Sequence, residues 1–81
     1  MDELINNADR RVVGAKQTLK ALEKGEASLV FIARDAEEKV VHPILALCET
    51  NNIEPRYVDS MIQLGKMCGI KVKAAVAAIT E

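Results

Sequence analysis

Apolar and polar positions along the 81-residue chain follow two alternating periods. Apolar residues three or four positions apart predict four helices, over residues 2–9, over residues 15–24, from Pro43 through Cys48, and from Ser60 to Gly69. Short apolar runs predict four strands, over residues 11–14, 28–33, 54–58 and 74–79. The run at 28–33 is apolar on both faces, so it is predicted to be a central strand covered by helices on each side. The resulting order αβαβαβαβ predicts one α/β sheet with helices on both faces.

Local signals set the expected boundaries of these elements. Pro43 suits the first turn of a helix, so residues 34–38 are predicted to be a polar loop and His42 to lie at the start of that helix. Ser60 and Gln63 have the spacing of a capping box. Ligands of open α/β sheets tend to meet the loops at strand ends and helix starts. The Gly14 turn and the loops 34–38 and 69–73 are therefore expected to share one edge.

Composition indicates a single globular domain over residues 1–81. Hydrophobic residues make up 49% of the chain and charged residues 28%, which is typical of a folded protein. No apolar run is long enough to cross a membrane, and the acidic start at Met1–Leu4 lacks the basic region of a secretory signal. Cys48 and Cys68 are predicted to be buried thiols of a reducing compartment, so a cytoplasmic protein is expected. A disulfide between them is the alternative, since the sequence does not give their geometry.

The basic residues are unevenly distributed although the net charge is only −1. Segments 10–24 and 62–73 hold eight of the eleven basic residues and a single acid, Glu23. Lys16, Lys20 and Lys24 form one stripe beside a predicted helix start, where free N–H groups and the helix dipole favour an anion. If the fold joins the two segments, they predict a basic patch for an anionic partner, with nucleic-acid phosphate as the leading candidate. Ordinary scatter of surface charge remains the alternative.

Catalytic chemistry finds little support in the sequence. His42 is the single histidine, and neither a nucleophile elbow nor a phosphate-binding glycine loop is present. The cysteines and the histidine lack metal-ligand spacing. We therefore expect a protein that is not an enzyme and has no metal, cofactor or small-molecule substrate. One Tyr, one Phe and no Trp also argue against an aromatic platform for single strands.

Three motifs in order carry a resemblance to a known family. They are residues 14–22 (GAKQTLKAL), 29–36 (LVFIARDA) and 64–70 (LGKMCGI), followed by the Ala-rich closing strand. Together they resemble the kink-turn RNA-binding ribosomal proteins of the L7Ae/L30e family, most of all its small bacterial YbxF-type members. The resemblance implies a single-domain, three-layer α-β-α sandwich with a four-stranded mixed sheet. It also implies binding, as a monomer, to structured RNA with a kink-turn, which is a helix, a three-nucleotide bulge and tandem sheared G·A pairs. Ribosomal RNA, a riboswitch or a similar RNA is the implied partner, and the protein is expected to be ribosome-associated or ribosomal-protein-like.

The resemblance also implies a set of RNA-binding residues. Gly14 would let the backbone approach the RNA, and Glu37 would help to hold a flipped-out bulge nucleotide. Ile70, Lys71 and Val72 match the hydrophobic loop that covers the bulged bases. The implied set is Gly14, Lys16, Gln17, Lys20, Glu37, Ile70, Lys71 and Val72.

Several positions depart from the usual family pattern. Lys71 stands where archaeal-type members often carry an acid, and Lys73 stands where they often carry proline. Lys16 and Gln17 stand where many relatives have Asn and Glu, which read the edges of the G·A pairs. Lysine offers only donors, so the site is expected to seek phosphate more strongly and to discriminate bases less. A steeper salt dependence of binding follows from the same change.

A second function class remains open from the sequence. The same basic edge would also serve a protein–protein adaptor with an acidic partner. Ile70 and Val72 bear on the choice, because exposed apolar tips between lysines suit unstacked bases better than an acidic helix. Burial of both side chains in the sheet is the alternative structural interpretation.

Overall fold

Four strands pair into one mixed sheet in the computed structural model, which describes residues 10–80. The strands are β1 (Arg11–Val13), β2 (Ala27–Ala33), β3 (Arg56–Val58) and β4 (Val76–Thr80), in the spatial order β1-β4-β2-β3. β4 is antiparallel to both of its neighbours, whereas β2 and β3 are parallel. It follows that β1, β2 and β3 all run in the same direction. The predicted helix over residues 2–9 lies outside the described residues.

Three helices cover this part of the sheet, and they divide into two layers. They are α1 (Ala15–Glu23), α2 (Glu38–Thr50) and α3 (Met61–Met67). α1 and α2 pack together on one face, and α3 packs on the other. The predicted three-layer α-β-α sandwich is therefore confirmed. Between residues 10 and 80, no helix has the length and apolar character needed to cross a membrane.

The core lies on both faces of the central strands. Val30 and Ile32 of β2 point towards α1 and α2, while Phe31 and Ala33 point towards α3. This alternation is the two-residue period of a strand, and burial on both faces explains the continuous apolar run. Residues 76–78 of β4 (Val-Ala-Ala) are also fully buried, and their small side chains allow α1 to lie over the strand.

The start of α2 corrects a prediction from the sequence. The helix begins at Glu38, so Pro43 lies inside it rather than in its first turn, and His42 is an exposed residue within the helix. Pro43 removes one amide donor, which would have bonded to the carbonyl of Lys39. Both residues are exposed, so water can solvate that carbonyl and the helix tolerates the loss.

The two cysteines are buried on opposite faces of the sheet. Cys48 belongs to the core beneath α2, and Cys68 belongs to the core beneath α3. Burial raises the pKa of both thiols, and at Cys68 the Arg11 guanidinium opposes part of this rise. The prediction of buried thiols is confirmed, and the intervening sheet keeps them from pairing.

A close backbone contact fixes the chain that follows α3. The segment 70–74 runs back along α3, where the Ile70 N–H donates to the Gly65 carbonyl at 3.1 Å and the Ala74 N–H donates to the Met61 carbonyl at 3.0 Å. Between these bonds the Val72 carbonyl lies directly over Gly65, in the space that a Cβ atom would occupy. Glycine is therefore required at position 65 because the Val72 carbonyl approaches it so closely, although glycine destabilises the interior of a helix.

Gly65→Ala is expected to destabilise the protein by about 1–3 kcal/mol, because the new methyl group would displace the 70–74 segment. Helix propensity alone would give the opposite sign, a gain of about 1 kcal/mol. Urea unfolding measures the change. Ala46→Gly at an exposed position of α2 supplies the propensity difference in the same protein, and a stabilised Gly65→Ala variant would contradict the close contact.

Candidate nucleic-acid interface

One edge of the sheet collects the start of every described helix. β1, β2 and β3 end there, each is followed by a helix, and β4 begins at the same edge. We define this loop edge as residues 14–17, 34–38, 59–61 and 70–75. Three backbone hydrogen bonds join its segments, from Gly14 N–H to Val76 O (2.9 Å), from Ala33 N–H to Ala75 O (2.9 Å) and from Arg34 N–H to Val58 O (2.8 Å). The predicted meeting of three distant loops is thus confirmed.

Gly14 gives α1 an open and uncapped start. Its φ of 102° lies in a region that residues with a Cβ rarely adopt, and the space beside its Cα is empty. Within residues 10–80 no side chain caps α1, and the first turn of α1 contains no acidic residue. The first amide N–H groups and the positive end of the helix dipole therefore face outward at the loop edge, where they favour an anion.

The lysine stripe on α1 is exposed but only part of it reaches the loop edge. Lys16, Lys20 and Lys24 are all exposed, and none forms an ion pair with another residue between 10 and 80. Lys16 lies in the first turn beside exposed Gln17. Lys24 lies at the far end of the helix, about 14 Å from its start at 1.5 Å per residue. The stripe therefore runs from Lys16 at the loop edge to Lys24 at the opposite end of α1.

Lys39 adds a basic group that was not among the binding residues predicted from the sequence. It lies across from Lys16 in a groove of about 270 Å³ between α1 and α2, whose floor is apolar and includes Leu19 and Ile44. Its ammonium is 3.9 Å from the Glu37 carboxylate, and both side chains are largely exposed, so this pair is weak. Only the packing of α1 against α2 brings the two lysines together, and no local motif signals it.

Glu37 stands at the start of α2. Its backbone carbonyl accepts the N–H groups of Val40 and Val41 at 3.0 and 3.1 Å, while its carboxylate makes no capping hydrogen bond. The side chain is exposed at the loop edge. An acceptor is therefore available there, beside the ammonium of Lys39.

The 70–73 segment separates two apolar residues that the sequence treated alike. Ile70 is half-buried and packs against the core beneath α3. Val72 is 69% exposed, and Lys71 and Lys73 on either side of it are also exposed. Of the two structural interpretations, partial burial holds for Ile70 and exposure between lysines holds for Val72.

The two basic segments of the sequence adjoin in the fold. The Arg11 guanidinium lies against Gly69 at the end of α3, and β1 pairs with β4 just beyond the 70–75 segment. From Gly69 the segment that carries Lys71 and Lys73 runs back along α3 to the loop edge, where Ala74 bonds to Met61. Lys66, exposed on α3, and Lys24 extend the basic surface away from that edge.

The loop edge has the character of a binding surface. Residues 10–80 contain no group of three or more His, Cys, Asp or Glu side chains placed to hold a metal ion. The edge presents the uncapped amides of α1, one exposed apolar side chain and an equal number of basic and acidic side chains on a small α-β-α sandwich. The bases are Lys16, Arg34, Lys71 and Lys73, and the acids are Asp35, Glu37, Glu38 and Asp59. The sequence profile of the ribosomal protein L7Ae/L30e/S12e/Gadd45 family matches residues 2–81, and the chain belongs to this family.

Individual relatives cover nearly all of the chain. The chain is 55% identical over 69 residues to RNA-binding protein TTE2299 of Caldanaerobacter subterraneus subsp. tengcongensis, covering 85% of this chain and 84% of the relative. It is 42% identical over 77 residues to RNA-binding protein YbxF of Geobacillus stearothermophilus, covering 95% and 94%. The solved structure of the Giardia lamblia 15.5kD RNA binding protein superposes with a TM-score of 0.89 at 28% identity, over 99% of this chain and 70% of that one. The predicted resemblance is confirmed.

Ile70→Ala is expected to lower the free energy of unfolding by about 1–2 kcal/mol, less than a fully buried isoleucine would cost. Val72→Ala should change it by less than about 0.5 kcal/mol, because the side chain is already exposed. Paired urea titrations of the two variants measure both effects. Equal losses would contradict the different burial of the two side chains.

Proposed function

We propose that this protein binds structured RNA through the loop edge, and that its preferred RNA motif is the kink-turn. The arrangement that supports this proposal is the convergence of an uncapped helix start, exposed lysines and the 70–73 segment on one edge. Relatives that cover most of its length are RNA-binding proteins. The proposed contacts at the loop edge are Gly14, Lys16, Gln17, Glu37, Ile70, Lys71 and Val72. Lys20, one helical turn beyond Lys16 along α1, completes the set.

Each part of the edge has a distinct role in this proposal. The open space at Gly14 admits the RNA backbone, and the first amides of α1 with Lys16 attract its phosphates. Gln17 offers both a donor and acceptors to base edges, and Glu37 offers acceptors. Val72 lies exposed where an unstacked base would cover it, while Ile70 fixes the segment from beneath.

The chemistry of the edge favours RNA over an acidic protein partner. An acidic helix would supply carboxylates for the lysines and the outward-facing amides of α1, but those carboxylates would repel the exposed carboxylate of Glu37. RNA supplies phosphates for the lysines and amides and base donors for Glu37. We further propose that the protein acts as a monomer in the bacterial cytoplasm, in line with the bacterial origin of its RNA-binding relatives.

The direct test is a comparison of two RNAs. One carries a kink-turn, and the other has the same length with its tandem G·A pairs replaced by Watson–Crick pairs. Fluorescence anisotropy is expected to show at least roughly tenfold tighter binding to the kink-turn, since base contacts add to the phosphate term. Equal affinity for the two RNAs would sink the kink-turn proposal.

The same titration repeated at several salt concentrations measures the phosphate contribution. Each neutralised phosphate contributes about −0.7 to −0.9 to the slope of log affinity against log salt. Three or four lysine contacts thus give a slope of about −2 to −4. A slope near zero would rule out phosphate contacts at the loop edge.

Lys20→Ala is expected to weaken kink-turn binding by about 1–3 kcal/mol, the scale of one charged contact. Lys24→Ala removes the same charge from the same stripe but at the far end of α1. Its distance from the loop edge exceeds the Debye length of about 8–10 Å, so its effect should be small. Equal losses for the two variants would indicate general charge attraction rather than contact by Lys20.

A further inference from the structure

One side chain links two parts of the loop edge that are distant in sequence. Asp35, just after β2, accepts a hydrogen bond from the Met61 N–H through Oδ1 at 2.8 Å. Met61 is the first residue of α3 and follows β3. The carboxylate of the β2–α2 loop therefore holds the start of the helix on the opposite face of the sheet. Asp35 is not among the proposed RNA contacts.

Met61 passes this restraint on to the 70–74 segment. Its N–H donates to Asp35, and its carbonyl accepts the N–H of Ala74 at 3.0 Å. The other end of the segment is fixed by the bond from Ile70 to Gly65, and the Val72 carbonyl rests on Gly65 between them. The segment is thus fixed at one end in the middle of α3, while its Ala74 end depends on where α3 begins.

α3 depends on its caps because it is short. Its seven residues make fewer than two full turns, so its own backbone hydrogen bonds contribute little. Two of its first amides are satisfied from outside, the Gln63 N–H by Ser60 Oγ at 3.0 Å and the Met61 N–H by Asp35. The bond to Asp35 is the charge-assisted one, and such bonds are roughly twice as strong as neutral ones.

We infer that Asp35 is a positioning residue for RNA binding, which sets the 70–74 segment relative to the start of α1 through Met61 and α3. This inference rests on the function proposed above. Without the carboxylate, α3 frays at its start, the Ala74 bond opens, and Lys71, Val72 and Lys73 lose their fixed place at the loop edge. RNA must then order the segment as it binds, which lowers affinity.

Electrostatics alone predicts the opposite effect of removing Asp35 on the affinity for RNA. Removing an acid from an edge that faces RNA should strengthen binding, because the edge becomes more positive. Asp59 offers a matched control at the same edge. Its carboxylate is 88% exposed and lies 3.9 Å from Arg34 Nε, and it accepts no hydrogen bond from the backbone within residues 10–80.

The experiment compares Asp35→Ala, Asp35→Asn and Asp59→Ala with the wild-type protein by two measurements. The first is amide hydrogen exchange of the free protein followed by NMR, with the β2 amides as internal reference. In Asp35→Ala the Ala74 and Met61 amides should exchange at least about tenfold faster than in wild type after this correction, since their bonds open locally. The Asn variant retains an acceptor and should recover part of the protection.

The second measurement is affinity for the kink-turn RNA. Asp35→Ala should bind about tenfold more weakly than wild type, the scale of one lost charged hydrogen bond, with Asp35→Asn between them. Asp59→Ala should bind as well as wild type or slightly better. Unchanged Ala74 exchange in Asp35→Ala, or affinity equal to that of Asp59→Ala, would overturn the inference. If wild type itself fails to prefer the kink-turn RNA, the proposed function is wrong, whereas the exchange measurement still decides whether Asp35 holds the segment.

Discussion

The direction of β4 is the constraint on which the rest of the structure depends. β4 pairs antiparallel with both β1 and β2, and β3 pairs parallel with β2. Three strands must therefore end at the edge where the fourth begins. Because each of these strands leads directly into a helix, three helix starts and the segment before β4 occupy one side of the molecule. The loop edge is thus a consequence of strand pairing before any side chain is considered.

Small side chains in β4 make this arrangement compact. The strand is buried between α1 on one face and the core beneath α3 on the other, and alanines at positions 77 and 78 leave room for both layers. Alanine is a weak strand former, so local preference contributes little to β4. Its place is determined by the two strands that flank it and by the helices that it must accommodate.

Elements with a strong local signal were predictable, and contacts between distant segments were not. The two-sided apolar run of β2 and the serine cap of α3 identified a central strand and a helix start. The start of α2 was predicted wrongly, because the preference of proline for the first helical turn is only a statistical tendency. The helix begins at Glu38, five residues before Pro43. Lys16 and Lys39 line the same groove, and Asp35 accepts a hydrogen bond from the Met61 N–H. Both contacts depend on tertiary packing, which periodicity and short motifs do not predict.

The uncapped start of α1 also has a thermodynamic consequence for the free protein. Like charges at Lys16, Lys20 and Lys24 each disfavour the helix by a few tenths of a kcal/mol per neighbouring pair. No acid in the first turn offsets the helix dipole there. Within residues 10–80, the first turn of α1 therefore carries an electrostatic cost that a bound anion would relieve. Whatever anion binds at this edge stabilises the native state by mass action, so ligand affinity and resistance to unfolding are coupled through the first turn of one helix.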